Sequence, residues 1–251
     1  MVTRIASASM IVLFTDFGFG GPYTGQVKAV LNRSAPGIPV FDLFSDAPLQ
    51  NPKAAAYLLA AHAAWFAAGT VFLSVVDPGV GGPRAAIALA ADGRWFVGPD
   101  NGLFELVARR ASQTLACDIV WRPAALSASF HGRDLFAPVA GWLAAGSLQS
   151  DALAASGLTR YLDWPDDLYE IVYVDHYGNA ITGIRSGKLA ADAVLAVGDR
   201  IVQHARTFSD VRAGEALWYD NANGLVEIAI NQGNAARDLS LDTGTPVALQ
   251  R

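Results

Sequence analysis

The stretch AAAYLLAAHAAWFAAGTVFLSVV, residues 54–76, carries no charged side chain and is long enough to span a bilayer. Its reading decides the fold. Alanine, which is only weakly hydrophobic, dominates it, and His62 sits in its middle. Gly69-Thr70 then divides it into an alanine-rich helix and a β-branched strand over Thr70–Val76. A buried helix feeding a buried strand, rather than a membrane span, is the expectation.

The same alternation runs outward from there. Ile11–Thr15 reads as a continuous apolar strand, Tyr23–Asn32 as a helix and Val40–Phe44 as a strand. Pro52–Ala68 is the second helix, Ala85–Ala90 and Trp95–Val97 a hairpin, and Leu103–Arg109 and Asp134–Ala145 two further helices. Apolar strands alternating with helices predict an α/β domain around a mostly parallel sheet. The Gly-, Pro- and Asp-bearing segment Gly157–Asp167 suits a linker. Beyond it, short strands are expected at Tyr169–Val174, Ala180–Ile184, Ala193–Val197, Arg200–Thr207, Ala216–Tyr219, Leu225–Ile230 and Pro246–Leu249. Gly, Asn and Asp turns separate them, which predicts an all-β barrel or sandwich. The expected domains are residues 1–160 and 161–251.

Composition narrows the function. Of 251 residues 52% are apolar and 16% charged, which excludes a disordered chain. A net charge of −5 with no basic run makes nucleic acid a poor partner. The single cysteine, Cys117, excludes an internal disulfide framework and reads as a buried small hydrophobe. Residues 1–10 read as a tail before the first strand, without a signal-peptide pattern. A soluble, cytoplasmic protein is expected.

Four segments carry candidate chemistry. Asp16, after the first strand and before Gly18, Gly20 and Gly21, could hold a ribose or merely cap the next helix. The Gly-x-Gly-x-x-Gly fingerprint fails at Tyr23, yet Asp42 stands where a dinucleotide site wants a carboxylate, so a nicotinamide-dependent oxidoreductase stays open. Asp77 and Arg84 flank the tight loop Pro78–Pro83 and could face each other, as a site or as a structural ion pair. His131, in His131-Gly132-Arg133-Asp134, precedes a helix and could act in proton transfer. Asp175, Tyr177 and Asn179 close a strand in the β domain and could take an ammonium group, a flat base and a hydrogen bond, or form only a turn. Combining His131, Asp134, Asp175 and His176 into a metal site finds no supporting spacing, and no metal is expected.

These segments occur in this order in one family. The chain resembles the S-adenosyl-L-methionine hydroxide adenosyltransferases, relatives of the fluorinase and chlorinase enzymes. The matching pieces are TDFG at 15–18, GTVFLSVVDPGVG at 69–81, FVGPDNGLFELV at 96–107, FHGRDLFAPVA at 130–140, YVDHYGNAIT at 173–182 and GLVEIAINQGNAA at 224–236. The resemblance implies hydrolysis of S-adenosylmethionine to adenosine and methionine by attack of water or hydroxide at C5′. It implies no cofactor, the S-adenosylmethionine being substrate, and a homotrimer with sites between subunits. It places the family's Asp-Arg-His triad on Asp77, Arg84 and His131, ribose binding on Asp16, and ammonium binding on Asp175. Tyr177, Asn179, Asn231 and Gln232 would surround nucleoside and amino acid. The fluorinase has a Ser where Gly132 stands and lacks the adjacent histidine, so hydrolysis is the implied reaction. Leu49 replaces an adenosine-side Trp. Ala222-Asn223 replaces a Ser-Arg pair that holds the methionine carboxylate, which leaves Asn223 as the candidate for that group. On this reading His131 accepts or relays the proton, Arg84 stabilises the developing hydroxide and Asp77 orients them. A non-catalytic adenosine or S-adenosylmethionine sensor is an alternative, beside the nicotinamide-dependent oxidoreductase.

Overall fold

β1 (Met10–Thr15) opens the first sheet, buried throughout from Ile11 onward. The computed structural model describes residues 10–250, which divide into two compact units between Tyr161 and Leu162. In the first unit β1 is followed by α1 (Tyr23–Ser34), β2 (Val40–Phe44), α2 (Pro52–Ala63) and β3 (Thr70–Val75). Then come β4 (Ala86–Ala91), β5 (Arg94–Pro99), α3 (Glu105–Arg110), β6 (Thr114–Ile119), α4 (Ala137–Ala145) and β7 (Leu153–Ala155). The uncharged stretch is thus a helix and a strand, and among the described residues no helix is long and apolar enough to cross a membrane.

The strand order is β2-β1-β3-β5-β4-β6-β7. The pairs β1/β2, β1/β3 and β3/β5 are parallel, while β4/β5, β4/β6 and β6/β7 are antiparallel. The sheet is therefore mixed, parallel in one half only, because the tight β4–β5 hairpin reverses direction where a helical crossover would have kept it. β1 and β3 lie at its centre in register from Met10 opposite Thr70 to Thr15 opposite Val75. Their odd-numbered residues Ile11, Leu13, Val71 and Leu73 pack with Val27 and Leu31 of α1 and with Val139 and Leu143 of α4. On β1 the alternate Phe14 meets Phe44, whose ring in turn meets His62 of α2. His62 is buried and its Nδ1 lies 2.9 Å from the Leu58 carbonyl one turn back, so the polar group inside α2 is satisfied by the helix itself.

α2 stops at Ala63, short of the expected Ala68. The chain tightens there into turns from His62 to Trp65 and Ala63 to Phe66, and Arg94 donates to the Phe66 carbonyl at 2.6 Å. The guanidinium satisfies a backbone acceptor three residues past the helix end. β6 and β7 were not legible in the sequence. β6 carries the buried Cys117, opposite Ala88, and burial followed by the neighbouring Asp118 charge pushes its thiol pKa up.

The second unit holds β8 (Leu168–Val174), β9 (Ala180–Arg185), β10 (Val194–Val197), β11 (Arg200–His204), β12 (Ala216–Asp220), β13 (Leu225–Ile230), α5 (Ala235–Asp238) and β14 (Val247–Gln250). Their order is β14-β10-β11-β12-β13-β9-β8. A bridge between Glu170 and Pro246, with Ile171 N–H to Thr245 and Gly244 N–H to Ile171, joins the first and last strands into a nearly closed barrel. Of the two β architectures expected, the barrel forms. Trp218, Ile171, Leu195 and Ile228 fill it, and the Trp218 indole N–H donates to the Ala193 carbonyl.

One ion cluster ties the end of the first unit to its body. Glu105 is fully buried and accepts from Arg109, Arg160 and the Tyr161 N–H. Burial would raise its pKa, but Arg160, Tyr161 N–H and Arg109 together outweigh it and hold the carboxyl at about 2. The pKa is depressed, so the stabilisation is present above the ordinary carboxylate value and is lost as pH falls toward 2. Glu105→Ala is expected to cost about 3–5 kcal/mol by stranding its partners, toward the lower end because Arg160 is partly exposed. Urea unfolding at pH 7 measures this, and a loss below about 1 kcal/mol would reduce the cluster to a surface-type interaction.

Candidate active site

β1 and β3 run parallel, so their C-terminal ends deliver Asp16 and Asp77 to the same edge of the sheet. A cavity of about 370 Å³ opens there, lined by Asp16, Asp77, His131, Gln50 and an aromatic wall of Phe17, Tyr23 and Phe130. Those three rings pack edge to face or tilted, with centroids 5.4–6.1 Å apart.

Arg84 holds the chemistry in place. Its Nε donates to both Asp77 oxygens at 3.0 Å, and its Nη2 donates to Asp77 Oδ2 and, at 3.0 Å, to His131 Nδ1. Its guanidinium lies 5.2 Å from the Phe136 ring centroid. Arg84 is not among the cavity-lining residues; it braces Asp77 and His131, which are. The two loops can meet because of Gly81. Its φ is +79°, and a Cβ there would stand 2.5 Å from the Ala128 carbonyl oxygen.

His131 stands directly before a π-helical turn, Gly132–Phe136, in which Ala137 N–H reaches back to the Gly132 carbonyl. Such wide turns are frequent at functional sites. Asp134 does not join His131 as a metal ligand: Arg133 grips its carboxylate from both sides, and the Ser127 N–H donates to it as well. Among the described residues no group of three or more His, Cys, Asp or Glu is arranged to hold a metal ion.

The contact with Arg84 fixes the tautomer of His131. A guanidinium can only donate, so Nδ1 accepts and the ring hydrogen sits on Nε2. Burial, followed by the Arg84 charge, pushes the ring's pKa below its ordinary value, so it is neutral at pH 7.

Asp16 does not cap α1, whose N-cap is Pro22 without a side-chain bond. Its carboxylate takes the Gln50 N–H at 3.0 Å instead, and burial raises its pKa. Gln50 reaches it from a left-handed backbone, φ 52°, a conformation that non-glycine residues adopt at a cost. Gln50 has no motif of its own and was missed; Phe17 and Phe130 were legible only as neighbours of Asp16 and His131. Asp42 pairs with Lys28 at the surface, away from the cavity, which removes the support for a dinucleotide site.

The remaining candidates lie in the second unit. Asp175 Oδ1 accepts from the Tyr177 and Asn179 N–H groups, and Oδ2 accepts from Asn179 Nδ2. Tyr177 is 75% exposed. Gly178, between them, has φ +83°, and a side chain on it would collide with the Asn234 amide. Asn223 lies in the β12–β13 turn, where its N–H donates to Asn221 Oδ1. The Asn231 amide is spent on the Val211 carbonyl, and Gln232 follows in left-handed conformation, φ 55°.

An α/β unit with a caged carboxylate–guanidinium–imidazole set at its strand ends, followed by a small β barrel, defines a class that comparison names. The chain belongs to the SAM hydroxide adenosyltransferase family, whose N-terminal domain matches residues 11–153 and whose C-terminal domain matches residues 169–248. It is 39% identical to a Thermus thermophilus protein named (R)-S-adenosyl-L-methionine hydrolase, over 95% of this chain and 98% of that one. A Salinispora arenicola protein of the same name is 36% identical over 96% and 97%. Among solved structures, an uncharacterized conserved protein from Thermotoga maritima matches with TM-score 0.86 and 32% identity, over 96% of this chain and all of that one.

The tautomer is directly measurable. Two-bond ¹⁵N–¹H correlation is expected to place the His131 hydrogen on Nε2 at pH 7, with the ring charging only below its ordinary pKa of 6.5. A hydrogen on Nδ1, or titration above that value, would break the assignment.

Proposed function

We propose that the chain hydrolyses S-adenosyl-L-methionine at C5′, giving adenosine and L-methionine. The observation that carries this is the Asp77–Arg84–His131 set at the cavity that also holds Asp16, in a chain of this family. The relatives are named for the (R) epimer, and that epimer is the proposed substrate here.

The reaction asks little of its leaving group. Sulfur departs from a sulfonium as a neutral thioether and needs no acid. The nucleophile is the demanding part. His131 Nε2–H donates to the water, and the free lone pair of Asp77 accepts one of its hydrogens, which leaves an oxygen lone pair for C5′. As the C5′–O bond forms, the C5′–S bond breaks and its electrons stay on sulfur; the water proton passes toward Asp77 and on to solvent. His131 is thus the donor, and the accepting role expected of it falls to Asp77. Arg84 holds both and sets positive charge behind an oxygen that becomes hydroxide-like. In-line positioning at about 3–3.5 Å supplies part of the barrier reduction.

Asp16 holds the ribose hydroxyls with the oxygen lone pairs that Gln50 leaves free. In the β barrel Asp175 takes the ammonium group, Asn223 the carboxylate, and Tyr177, Asn179 and Gln232 the nucleoside and amino acid. Asn231 serves by holding its loop to Val211. No cofactor takes part. The protein acts in the cytoplasm, a setting in which its free, buried Cys117 stays reduced.

Sites between the subunits of a homotrimer complete the reading. Leu49, 74% exposed, lines the cavity, and Phe19, two positions after the lining residue Phe17, is 82% exposed; exposed apolar side chains of this kind suit a surface that a partner covers. Light scattering is expected to give three chain masses, and a monomer that retains full turnover would sink the shared-site arrangement.

Chromatography of the protein with the (R) epimer of S-adenosylmethionine is expected to show adenosine and methionine in equal amounts, and with the other epimer little of either. His131→Ala and Arg84→Ala should each cut kcat by about 10²–10⁴-fold with little change in KM. A 5′-halo-adenosine product with added chloride, or tight adenosine binding without turnover, would replace the proposal by a halogenase or a sensor.

A further inference from the structure

Glu227 sits on β13 in the middle of the second unit, 5% exposed. Its Oε1 accepts the Tyr219 hydroxyl and its Oε2 accepts Asn221 Nδ2 at 2.9 Å. Across the antiparallel β13/β9 pair Glu227 stands opposite Ile181 and Ile228 opposite Ala180, which brings Asn179, next before Ala180, close by. The partners found for this carboxylate are neutral, although burying one costs several kcal/mol unless it is compensated. A residue so costly, in a stretch that otherwise reads as barrel core, calls for a role.

Its neighbours supply one. The Asn179 amide donates to Asp175 Oδ2 at 3.1 Å, so the residue that the strand register sets beside Glu227 is itself tied to Asp175. Asn221, on the other side, takes the N–H groups of Asn223 and Leu225 on its Oδ1 while its Nδ2 holds Glu227. Glu227 is therefore the hub between two loops that are far apart in sequence: the Asp175–Asn179 loop and the Asn221–Gly224 turn.

We infer that Glu227 is a positioning residue for the amino-acid end of the substrate. It fixes the spacing between Asp175, which takes the ammonium group, and the turn that carries Asn223, which takes the carboxylate. This rests on the proposed assignment of those two groups. An amino acid presents both charges on one carbon, so the two loops must keep a fixed separation, and one buried carboxylate, bonded to Asn221 and seated beside Asn179, enforces it. Gln in its place keeps the shape, but its –NH2 faces Asn221 or Tyr219, both of which currently donate. The Asn221 turn then loses the acceptor that seats it beside the Asp175 loop.

The test compares two ligands that differ only in the amino-acid end: S-adenosylhomocysteine and 5′-deoxy-5′-methylthioadenosine. Calorimetry on the intact protein gives the ratio of their Kd values, and this ratio is insensitive to a general loss of folded protein. Asp175→Asn is expected to lower the advantage of S-adenosylhomocysteine about tenfold or more, as a charged hydrogen bond is lost. Glu227→Gln should lower it about three- to tenfold, and the double variant by less than the product of the two. Tyr219→Phe, which removes one donor from Glu227, should move the ratio in the same direction and serves if Glu227→Gln does not fold. An unchanged ratio in Glu227→Gln and Tyr219→Phe, with a reduced one in Asp175→Asn, would overturn the role of Glu227 alone. An unchanged ratio in Asp175→Asn would overturn the assignment on which it rests, and the inference with it.

Discussion

A guanidinium has hydrogens to give and no lone pair to receive with, and the first unit is arranged around that asymmetry at Arg84. Its Nε–H and both Nη2 hydrogens are committed to Asp77 and His131. The carboxylate is thereby pinned in one rotamer, and the imidazole in one tautomer. Each of these groups alone would be a mobile polar side chain at a strand end. Joined, they form a rigid donor–acceptor pair facing a cavity, and preorganisation of this kind is what makes a polar site effective.

The fold makes that contact possible at two levels. Parallel β1 and β3 bring Asp16 and Asp77 to one edge, as the geometry of the sheet requires. Bringing His131 to the same place takes a close approach between the loop after β3 and the segment before α4, and Gly81 against the Ala128 carbonyl provides it. The π-helical turn then leads into α4 with His131 at its N-cap, at the cavity wall. The β barrel follows the same logic with different parts. Gly178 lets the Asp175 loop press against Asn234, and neutral amides hold the carboxylates of Asp175 and the buried Glu227.

Much of this was legible in the sequence. Val40–Phe44 and Leu225–Ile230 form strands with the bounds that pattern alone predicts, because long β-branched and apolar runs between turn residues leave little choice. The runs that escaped notice lack such contrast. β6 mixes Thr, Ala, Cys and Asp, and β7 has three residues that pair only once β6 is in place. The Asp77–Arg84 pairing was visible as spacing around a glycine loop, and the structure joins the two. That Arg84 reaches His131, forty-seven positions away, depends on tertiary packing that no local pattern encodes. Gln50 and Glu227 were hidden for a related reason. One is an ordinary residue before a helix and the other lies in a strand whose apolar rhythm it interrupts, and only their partners reveal them.

The Glu105 cluster bears on the order in which the chain is made. Glu105 and Asp100 are both buried, and the groups that satisfy them come late: Thr159 for Asp100, and Arg160 with Tyr161 for Glu105. All seven strands of the first sheet precede those residues in the chain. Until then the nascent domain holds two carboxylates turned inward without their full complement of partners. The first part of the segment that reads as a linker, through Tyr161, is thus the final piece of the first unit. Synthesis must pass Tyr161 before both carboxylates have all their partners, so the α/β unit gains its last buried polar contacts from the residues at the threshold of the barrel sequence.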